Sequence, residues 1–192
     1  TPIQMLTAFA TLANDGRRPA PTLVRGSLDD GGVFTPIQAA EQIEVVPSGI
    51  ARSVVSMMEA VVSDGTGKRG QVPGYRVAGK TGTAWKPLAE GGYGEDKGEI
   101  RYVASFAGFL PAEAPELVIL VVVDEPARRA YSGGRAAAPI FSDYAQFAVR
   151  QLRMPSEFER TGLDQFGRVM ATTPARASEL QAAEEAALSG TG

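Results

Sequence analysis

Residues 75–85 read YRVAGKTGTAW, and the conformation of this stretch decides the fold. Together with Gly74, its first letters satisfy the phosphate-loop pattern G-x-x-x-x-G-K-[ST], which ends at Lys80 and Thr81. Residues 117–125, LVILVVVDE, could then supply the acidic strand that holds magnesium. These residues could adopt either of two conformations: a glycine-rich turn followed by a helix that begins at Lys80, or an extended strand.

The surroundings of Lys80 favour the strand. A phosphate loop needs a buried strand before its first glycine, but residues 68–73 are polar and contain a proline. It also needs a helix that begins at the lysine, whereas Gly82 and Pro87 would interrupt any helix there. We therefore interpret the motif match as coincidence, keep a nucleotide hydrolase as a remote alternative, and predict a strand over residues 75–85.

An extended backbone gives this stretch a different chemistry. Side chains alternate along a strand, so Lys80 and Gly82 lie on one face and Thr81 and Thr83 on the other. Gly79 and Gly82 leave the backbone open to close approach by a ligand. Two hydroxyls beside an ammonium suit a carboxylate, and a backbone N–H can stabilise an oxyanion. The alternative is a solvated lysine beside two strand-forming threonines with no function.

Composition limits the remaining possibilities. The 192 residues suffice for one domain with a core, and 44% apolar with 21% charged residues is typical of a soluble globular protein. A net charge of -3 gives no general reason to expect nucleic-acid binding. The chain contains no His and no Cys, which excludes a histidine base, a cysteine nucleophile, a disulfide and a Cys/His zinc site.

The ends and the apolar runs suggest part of a longer protein. The chain starts at Thr1 rather than at methionine, and no signal peptide is visible. The longest purely apolar run, residues 117–123, is too short to cross a bilayer. We therefore expect the natural protein to extend beyond these residues.

Three helices are predicted around the central stretch. The first starts at Thr1-Pro2 and ends before Gly16, and the second starts at a capping Ser48 and ends before Gly65. The second has an apolar stripe of Ile50, Val54, Met57, Met58, Val61 and Val62. The third carries Pro139 in its first turn and a stripe of Ile140, Phe141, Tyr144, Ala145, Ala148 and Leu152.

Strands and loops fill the rest. Short extended segments are predicted at residues 22–25 and 43–46, and longer strands at 101–110 and 117–124. The longer two are joined by a short connection, which predicts an antiparallel pair, and their apolar residues on both faces predict a covered sheet. Residues 86–99 are glycine-rich and charged, which predicts a mobile loop. Residues 156–192 are interpreted as a flexible tail, weakly helical around 179–188.

Residues 77–84, VAGKTGTA, resemble the Lys-Thr-Gly-Thr box of penicillin-binding proteins. Other segments resemble the same family in the same order: residues 1–16, 58–67, 105–111, 121–126 and 131–141. The resemblance covers about residues 1–155 and is greatest to class B, the monofunctional transpeptidases of the cell-division type. It implies an α+β sandwich with an antiparallel sheet flanked by helices, of which this chain is the C-terminal portion.

The resemblance also implies roles for individual residues. Lys80 would supply positive charge and help proton transfer, and Thr81 and Thr83 would bind a terminal carboxylate. The N–H of Thr83 would form one arm of an oxyanion hole, and Gly82 would permit close approach of the ligand. The turn at residues 131–134 would lie near the cleft without a catalytic role.

For the whole protein, the resemblance implies a peptidoglycan D,D-transpeptidase that acts through a serine acyl-enzyme with no metal or cofactor. Its ligands would be stem peptides and β-lactams, and its partners would be membrane proteins of the division complex. It would be held by an N-terminal membrane helix and work outside the cytoplasmic membrane.

One departure from the family pattern is large. No Ser in the chain is followed by Lys three residues later, and the only Asn, Asn14, follows Leu12 rather than Ser at the Ser-x-Asn spacing. The nucleophile motif and the second motif are therefore missing, and we predict that the isolated chain forms no covalent penicillin adduct. Covalent labelling of the purified chain by a fluorescent penicillin would contradict this. A serine β-lactamase, a D,D-carboxypeptidase and a non-catalytic wall-binding module stay open as alternatives.

Overall fold

The computed structural model describes residues 1–38, 40–89, 91–93 and 100–162. Short 3-10 turns lie at Lys68–Gly70 and Arg128–Ala130. In chain order, the helices and strands of these ranges are α1 Pro2–Ala13, β1 Arg17–Arg18, β2 Gly26–Leu28, β3 Phe34–Pro36, β4 Ile43–Glu44, α2 Ser48–Ser63, β5 Ala78–Trp85, β6 Tyr102–Leu110, β7 Leu117–Asp124, α3 Gly133–Gln151 and α4 Glu157–Thr161. None of these helices has the length and hydrophobicity that a membrane span requires.

The main sheet is antiparallel and has the order β5-β6-β7. Thr81 of β5 lies opposite Phe106 of β6, which lies opposite Val121 of β7. The predicted antiparallel pair is confirmed, with β7 at its predicted bounds and β6 beginning one residue later than predicted. The strand predicted from residue 75 begins at Ala78 instead, because Tyr75 belongs to a separate bridge with Val72.

Helices cover both faces of this sheet. Phe106 is fully buried and packs edge-on against Phe141 of α3, with ring centroids 4.7 Å apart. On the other face Phe109 and Ala78 pack with Met58 of α2 and with side chains of α1. Burial of these apolar side chains on two sides of one sheet supplies the main stabilisation. The predicted α+β architecture, an antiparallel sheet flanked by helices, is confirmed.

The starts of α1 and α2 follow from their sequences. The side chain of Thr1 donates a 3.0 Å hydrogen bond to Gln4 Oε1 at the start of α1. Gly16, in the left-handed conformation (φ +83°), follows the C-terminal end of α1, and its N–H donates a hydrogen bond to Thr11 O. The second helix was expected to be capped by Ser48, but the capping position is Pro47 and Ser48 is the first helical residue.

The third helix begins earlier than predicted. It starts at Gly133, with Ser132 extended at the capping position, so Pro139 lies inside the helix and not in its first turn. The proline removes one N–H from the helix ladder, a loss that packing of the buried face of α3 outweighs.

Two predicted apolar stripes are only partly correct. In α3, Phe141, Ala145 and Ala148 are buried, whereas Ile140 and Tyr144 are exposed, as is Leu152 directly after the helix. In α2, Met58 and Val62 are buried, whereas Ile50 and Met57 are exposed. Each helix therefore presents a narrower apolar face to the sheet than its sequence indicates.

The segment between α1 and α2 contains two small antiparallel strand pairs, β1 with β4 and β2 with β3. The prediction of a strand at residues 22–25 is wrong. Thr22 Oγ1 bonds both the N–H and the C=O of Val24, and this local side-chain turn replaces a strand ladder. The segment predicted at 43–46 is extended at Ile43 and Glu44.

The last described helix lies against the loop before β5. Glu157 N donates to Gly74 O at 2.8 Å, Arg160 pairs with Glu113, and Tyr75 Oη donates to Met154 O at 2.6 Å. The division of the chain at residue 155 stays a prediction. Most of the predicted tail, residues 163–192, lies outside the described residues, as do residues 90 and 94–99 of the predicted mobile loop.

Candidate functional site

Lys80 is the third residue of β5, and the strand continues without a break to Trp85. No helix begins at Lys80, so the geometry that a phosphate loop requires is absent from this part of the structure, and the nucleotide-hydrolase alternative is wrong. The side chain of Lys80 is exposed, and its Nζ donates a 3.0 Å hydrogen bond to Thr81 O.

The next two threonines line a groove with a volume of about 360 Å³. Thr81 and Thr83 share its wall with Thr66 and Ser132, which also carry hydroxyls. Lys80 does not line this groove, as the alternation of side chains along a strand predicts. The structure therefore brings Thr81 and Thr83 together and places the ammonium of Lys80 on the other face of β5.

Each threonine is held by one hydrogen bond from outside the strand. Thr81 Oγ1 lies 2.9 Å from Thr66 Oγ1. Thr83 Oγ1 accepts a 3.1 Å hydrogen bond from the N–H of Gly133, the first residue of α3. A hydroxyl can donate one hydrogen bond and accept two, so the Thr83 proton stays available for a ligand.

Three cations, Lys68, Arg69 and Arg135, complete the groove. Within the described ranges no acidic side chain lines it, and none of the three forms a salt bridge. The groove is therefore locally positive in a chain whose net charge is -3. Hydroxyl donors surrounded by unpaired cations suit an anion, in particular a carboxylate.

Glycine at position 133 permits this arrangement. A Cβ built on Gly133 would come closer than 3.0 Å to the backbone oxygens of Ser105 and Gly82. Only a residue without a side chain lets the start of α3 approach β5 and β6 so closely. A Cβ on Gly82 would likewise collide with Ser105 Oγ, so Gly82 serves strand packing as well as any ligand.

Several groove residues were missed by reasoning from the sequence. Thr66 is 15 residues from Thr81, and no spacing rule links a residue in a turn to one in a later strand. The 131–134 turn was expected near the cleft, and Ser132 and Gly134 lie in the groove wall. The signal for the cations was weak, although Lys68 and Arg69 directly follow a glycine-flanked turn.

Comparison with known protein families identifies similar proteins. The family model described as the penicillin-binding protein transpeptidase domain matches residues 1–146. Penicillin-binding protein PbpB of Mycolicibacterium smegmatis is 36% identical over 164 residues, which cover 81% of this chain and 25% of that protein. Peptidoglycan D,D-transpeptidase FtsI of Escherichia coli K12 is 32% identical over 163 residues, which cover 84% of this chain and 25% of that protein.

Solved structures show the same similarity. Penicillin-binding protein 3 of Mycobacterium tuberculosis, in its apo form, matches with a TM-score of 0.70 and 32% identity, covering 90% of this chain and 38% of that one. That protein has also been solved in complexes with aztreonam and with ampicillin. The chain spans about a quarter of the length of the curated relatives it matches.

Proposed function

The chain belongs to the transpeptidase domain family of class B penicillin-binding proteins, and from this premise we propose that the protein that carries it is a peptidoglycan D,D-transpeptidase. The observation that supports this most directly is the groove beside β5, where two threonine hydroxyls surround a space suited to a carboxylate, together with three cations that form no salt bridge within the described ranges. A stem peptide that ends in D-Ala-D-Ala presents such a carboxylate.

The proposed reaction is acyl transfer in two steps. A serine outside these residues attacks the carbonyl carbon of the penultimate D-Ala, an ester forms, and the terminal D-Ala leaves as an amine that gains a proton. An amine of a neighbouring stem peptide then attacks the ester, a new amide forms, and the serine recovers its proton. No oxidant or reductant is needed in either step.

Residues of β5 would act in both steps. The hydroxyls of Thr81 and Thr83 donate to the terminal carboxylate and so fix the position of the scissile bond. Within the described residues no strand pairs with the outer edge of β5, which leaves alternate backbone groups of this edge open. The Thr83 N–H would donate there to the oxyanion, Gly82 would let the ligand approach, and the Lys80 ammonium would assist proton transfer.

β-Lactams would enter the same site. They carry a carboxylate or sulfonate beside a strained amide, and their opening leaves an ester on the serine. The complexes of the mycobacterial relative with aztreonam and ampicillin support extending this binding to the present chain. Stem peptides and β-lactams are thus the proposed ligands of the groove.

We further propose that the whole protein works on the outer side of the cytoplasmic membrane, held by an N-terminal helix, with membrane proteins of the division complex as partners. The resemblance to the cell-division type of class B proteins supports this placement. Fractionation of cells that express the full-length protein with a tag would test it.

Covalent labelling tests the enzymatic proposal. The full-length parent protein should be labelled by a fluorescent penicillin, ampicillin should compete, and Thr83→Val should slow labelling about tenfold or more because one charge-assisted hydrogen bond is lost. Thr22→Val, a threonine outside the groove, is the matched control and should label normally. Absence of covalent label on the wild-type protein would contradict the proposal.

Two alternatives give different results with the same protein. Rapid turnover of a chromogenic cephalosporin would indicate a β-lactamase. Release of D-Ala from a pentapeptide without formation of cross-linked product would indicate a D,D-carboxypeptidase.

A further inference from the structure

Thr66 stands opposite the central threonine of the groove, although no role has been assigned to it. It lies in the turn between the end of α2 and the 3-10 turn at Lys68–Gly70. Its Oγ1 is 2.9 Å from Thr81 Oγ1, and either hydroxyl can be the donor. Both side chains face the groove, so their hydrogen bond lies at its surface.

The backbone of the fold fixes the position of Thr66. Gly65 N donates to Ala60 O at 3.1 Å and Gly67 N to Val61 O at 2.9 Å, and these bonds hold the turn to the last residues of α2. On the other side α3 passes so close that a Cβ on Gly134 would collide with Thr66 O. Thr66 is therefore placed by two helices and needs no ligand to hold it.

A count of hydrogen-bond donors shows what this placement does. Thr66 and Thr81 have two hydroxyl protons, and the bond between them uses one, so one proton of the pair stays available. Thr83 accepts from Gly133 N and keeps its own proton available. The groove thus offers a fixed pair of O–H donors, one from Thr83 and one from the Thr66–Thr81 pair.

We propose that Thr66 is a positioning residue that gives the groove its selectivity for an anionic peptide end over a neutral one. It fixes the position of the Thr81 hydroxyl oxygen, so that the free proton of the Thr66–Thr81 pair and the proton of Thr83 are donated together to the two oxygens of a carboxylate. Hydrogen bonds to a charged acceptor are stronger than those to a neutral one, so an ester gains less from the same donors. This inference rests on the proposed function.

The test compares an anionic and a neutral ligand on the full-length parent protein. Second-order rate constants of acylation are measured for benzylpenicillin and for its methyl ester, by competition with a fluorescent penicillin. Thr66→Val removes the hydrogen bond that positions Thr81 and should slow acylation by benzylpenicillin about three- to tenfold, the worth of that bond. Acylation by the ester should slow less than about twofold. Thr66→Ser retains the hydroxyl and should keep the wild-type ratio, as should the control Thr22→Val.

The ratio of the two rate constants does not depend on the fraction of folded protein, so a folding defect cannot imitate the expected result. An equal loss for both ligands in Thr66→Val would show a purely structural role and overturn the inference. If Thr66→Val left both acylation rate constants unchanged, the inference would be overturned as well. A wild-type protein that no penicillin acylates would instead overturn the proposed function, and the inference with it.

Discussion

Neighbouring side chains of β5 are set in contrasting environments. Thr81 and Thr83 each have a hydrogen-bond partner from another element, which fixes their hydroxyls on the wall of the groove. Lys80 is exposed, and among the described residues its ammonium hydrogen-bonds only to the carbonyl of the next residue. The threonine hydroxyls are thus held in place by the fold, whereas the lysine has a charge that the described part of the fold does not use.

Replacement of Lys80 separates activity from stability. In the full-length protein, Lys80→Met should change the free energy of unfolding by less than about 0.5 kcal/mol, because the side chain is exposed. Acylation by penicillin should fall about 10²-fold or more if the ammonium assists proton transfer. Thermal unfolding and penicillin labelling measure the two effects.

Lys86→Met is the matched control for this experiment. Lys86 follows the same strand, but its Nζ pairs with Asp124 at 2.7 Å and Glu125 at 2.8 Å, outside the groove. Its replacement should leave acylation unchanged. Similar losses of acylation in both variants would mean that Lys80 has no special role.

The contribution of Tyr75 to stability depends on pH. Its hydroxyl donates to Met154 O at 2.6 Å, and burial, followed by the nearby Glu159 carboxylate, raises the pKa of Tyr75 above its ordinary value of 10.0. The folded state thus favours the neutral phenol, so this contribution is complete below pH 10.0 and is lost as the pH rises through the higher folded-state pKa.

We therefore expect Tyr75→Phe to lower the free energy of unfolding by about 0.5–1.5 kcal/mol at pH 7, the usual worth of one hydrogen bond. The difference between the two proteins should shrink above the ordinary pKa of tyrosine. Urea denaturation of both at neutral and at alkaline pH measures this, and a difference that grows with pH would contradict the assignment.

At the scale of elements, the groove is built where the start of α3 meets β5. Gly133 donates its N–H to Thr83 while its Cα passes close to the backbone of Ser105 and Gly82. The positive end of the helix dipole then points toward the groove and adds to its attraction for anions. The contact between the start of α3 and β5 thus sets the close packing of these two elements and also contributes to the attraction of the groove for anions.

Substitution at this contact should be costly. Gly133→Ala places a Cβ against rigid backbone atoms, so it should destabilise the protein by about 1–3 kcal/mol, the range for overpacking. Gly49→Ala in α2, where a Cβ meets nothing within 4 Å, is the matched control and should stabilise it by up to about 1 kcal/mol. Chemical denaturation measures both, and equal effects would contradict the described packing.

Elements defined by local patterns could be predicted from the sequence. The Thr1-Pro2 start and Gly16 stop of α1 and the apolar run of β7 act within a few residues, and their predicted bounds match the structure. The start of α3 was misplaced, because Pro139 is typical of a first helical turn and Gly133 is a poor helix former. Only packing against Ser105 and Gly82 makes Gly133 suitable there.

The candidate site also combines residues that local rules predict with residues that only the packing of distant elements brings together. Thr81 and Thr83 could be assigned to one face because alternation along a strand is a local rule. Thr66, Ser132 and Arg135 join them through the packing of α2 and α3 around the sheet, and no sequence spacing encodes that contact. Reasoning from the sequence therefore found the strand that carries the site but missed most of the groove opposite it.

At the scale of the whole molecule, β7 forms an apolar edge of the main sheet. Within the described residues β7 pairs only with β6, and seven consecutive apolar residues from Leu117 to Val123 lie along it. A long apolar edge strand is a template for pairing with another chain unless something covers it. Val122 is 45% exposed.

We expect the 192-residue chain, produced by itself, to self-associate through this edge. Val122→Lys should shift it toward the monomer, because a charged residue on an edge strand opposes pairing. Leu28→Lys, at an apolar position of the separate β2-β3 pair that is 70% exposed, is the control. Size-exclusion chromatography with light scattering measures the mass, and a monomeric wild-type chain would contradict the expectation.

The short helix α4 has a practical consequence for anyone who prepares this protein. It is joined to the loop before β5 by the Glu157–Gly74 hydrogen bond and to the β6-β7 connection by the Arg160–Glu113 ion pair. A stop codon placed after residue 155, where the sequence suggests a domain end, would remove both attachments. Affinity tags and fluorescent fusions therefore belong after residue 162, where they leave the hydrogen bond and the ion pair of α4 intact.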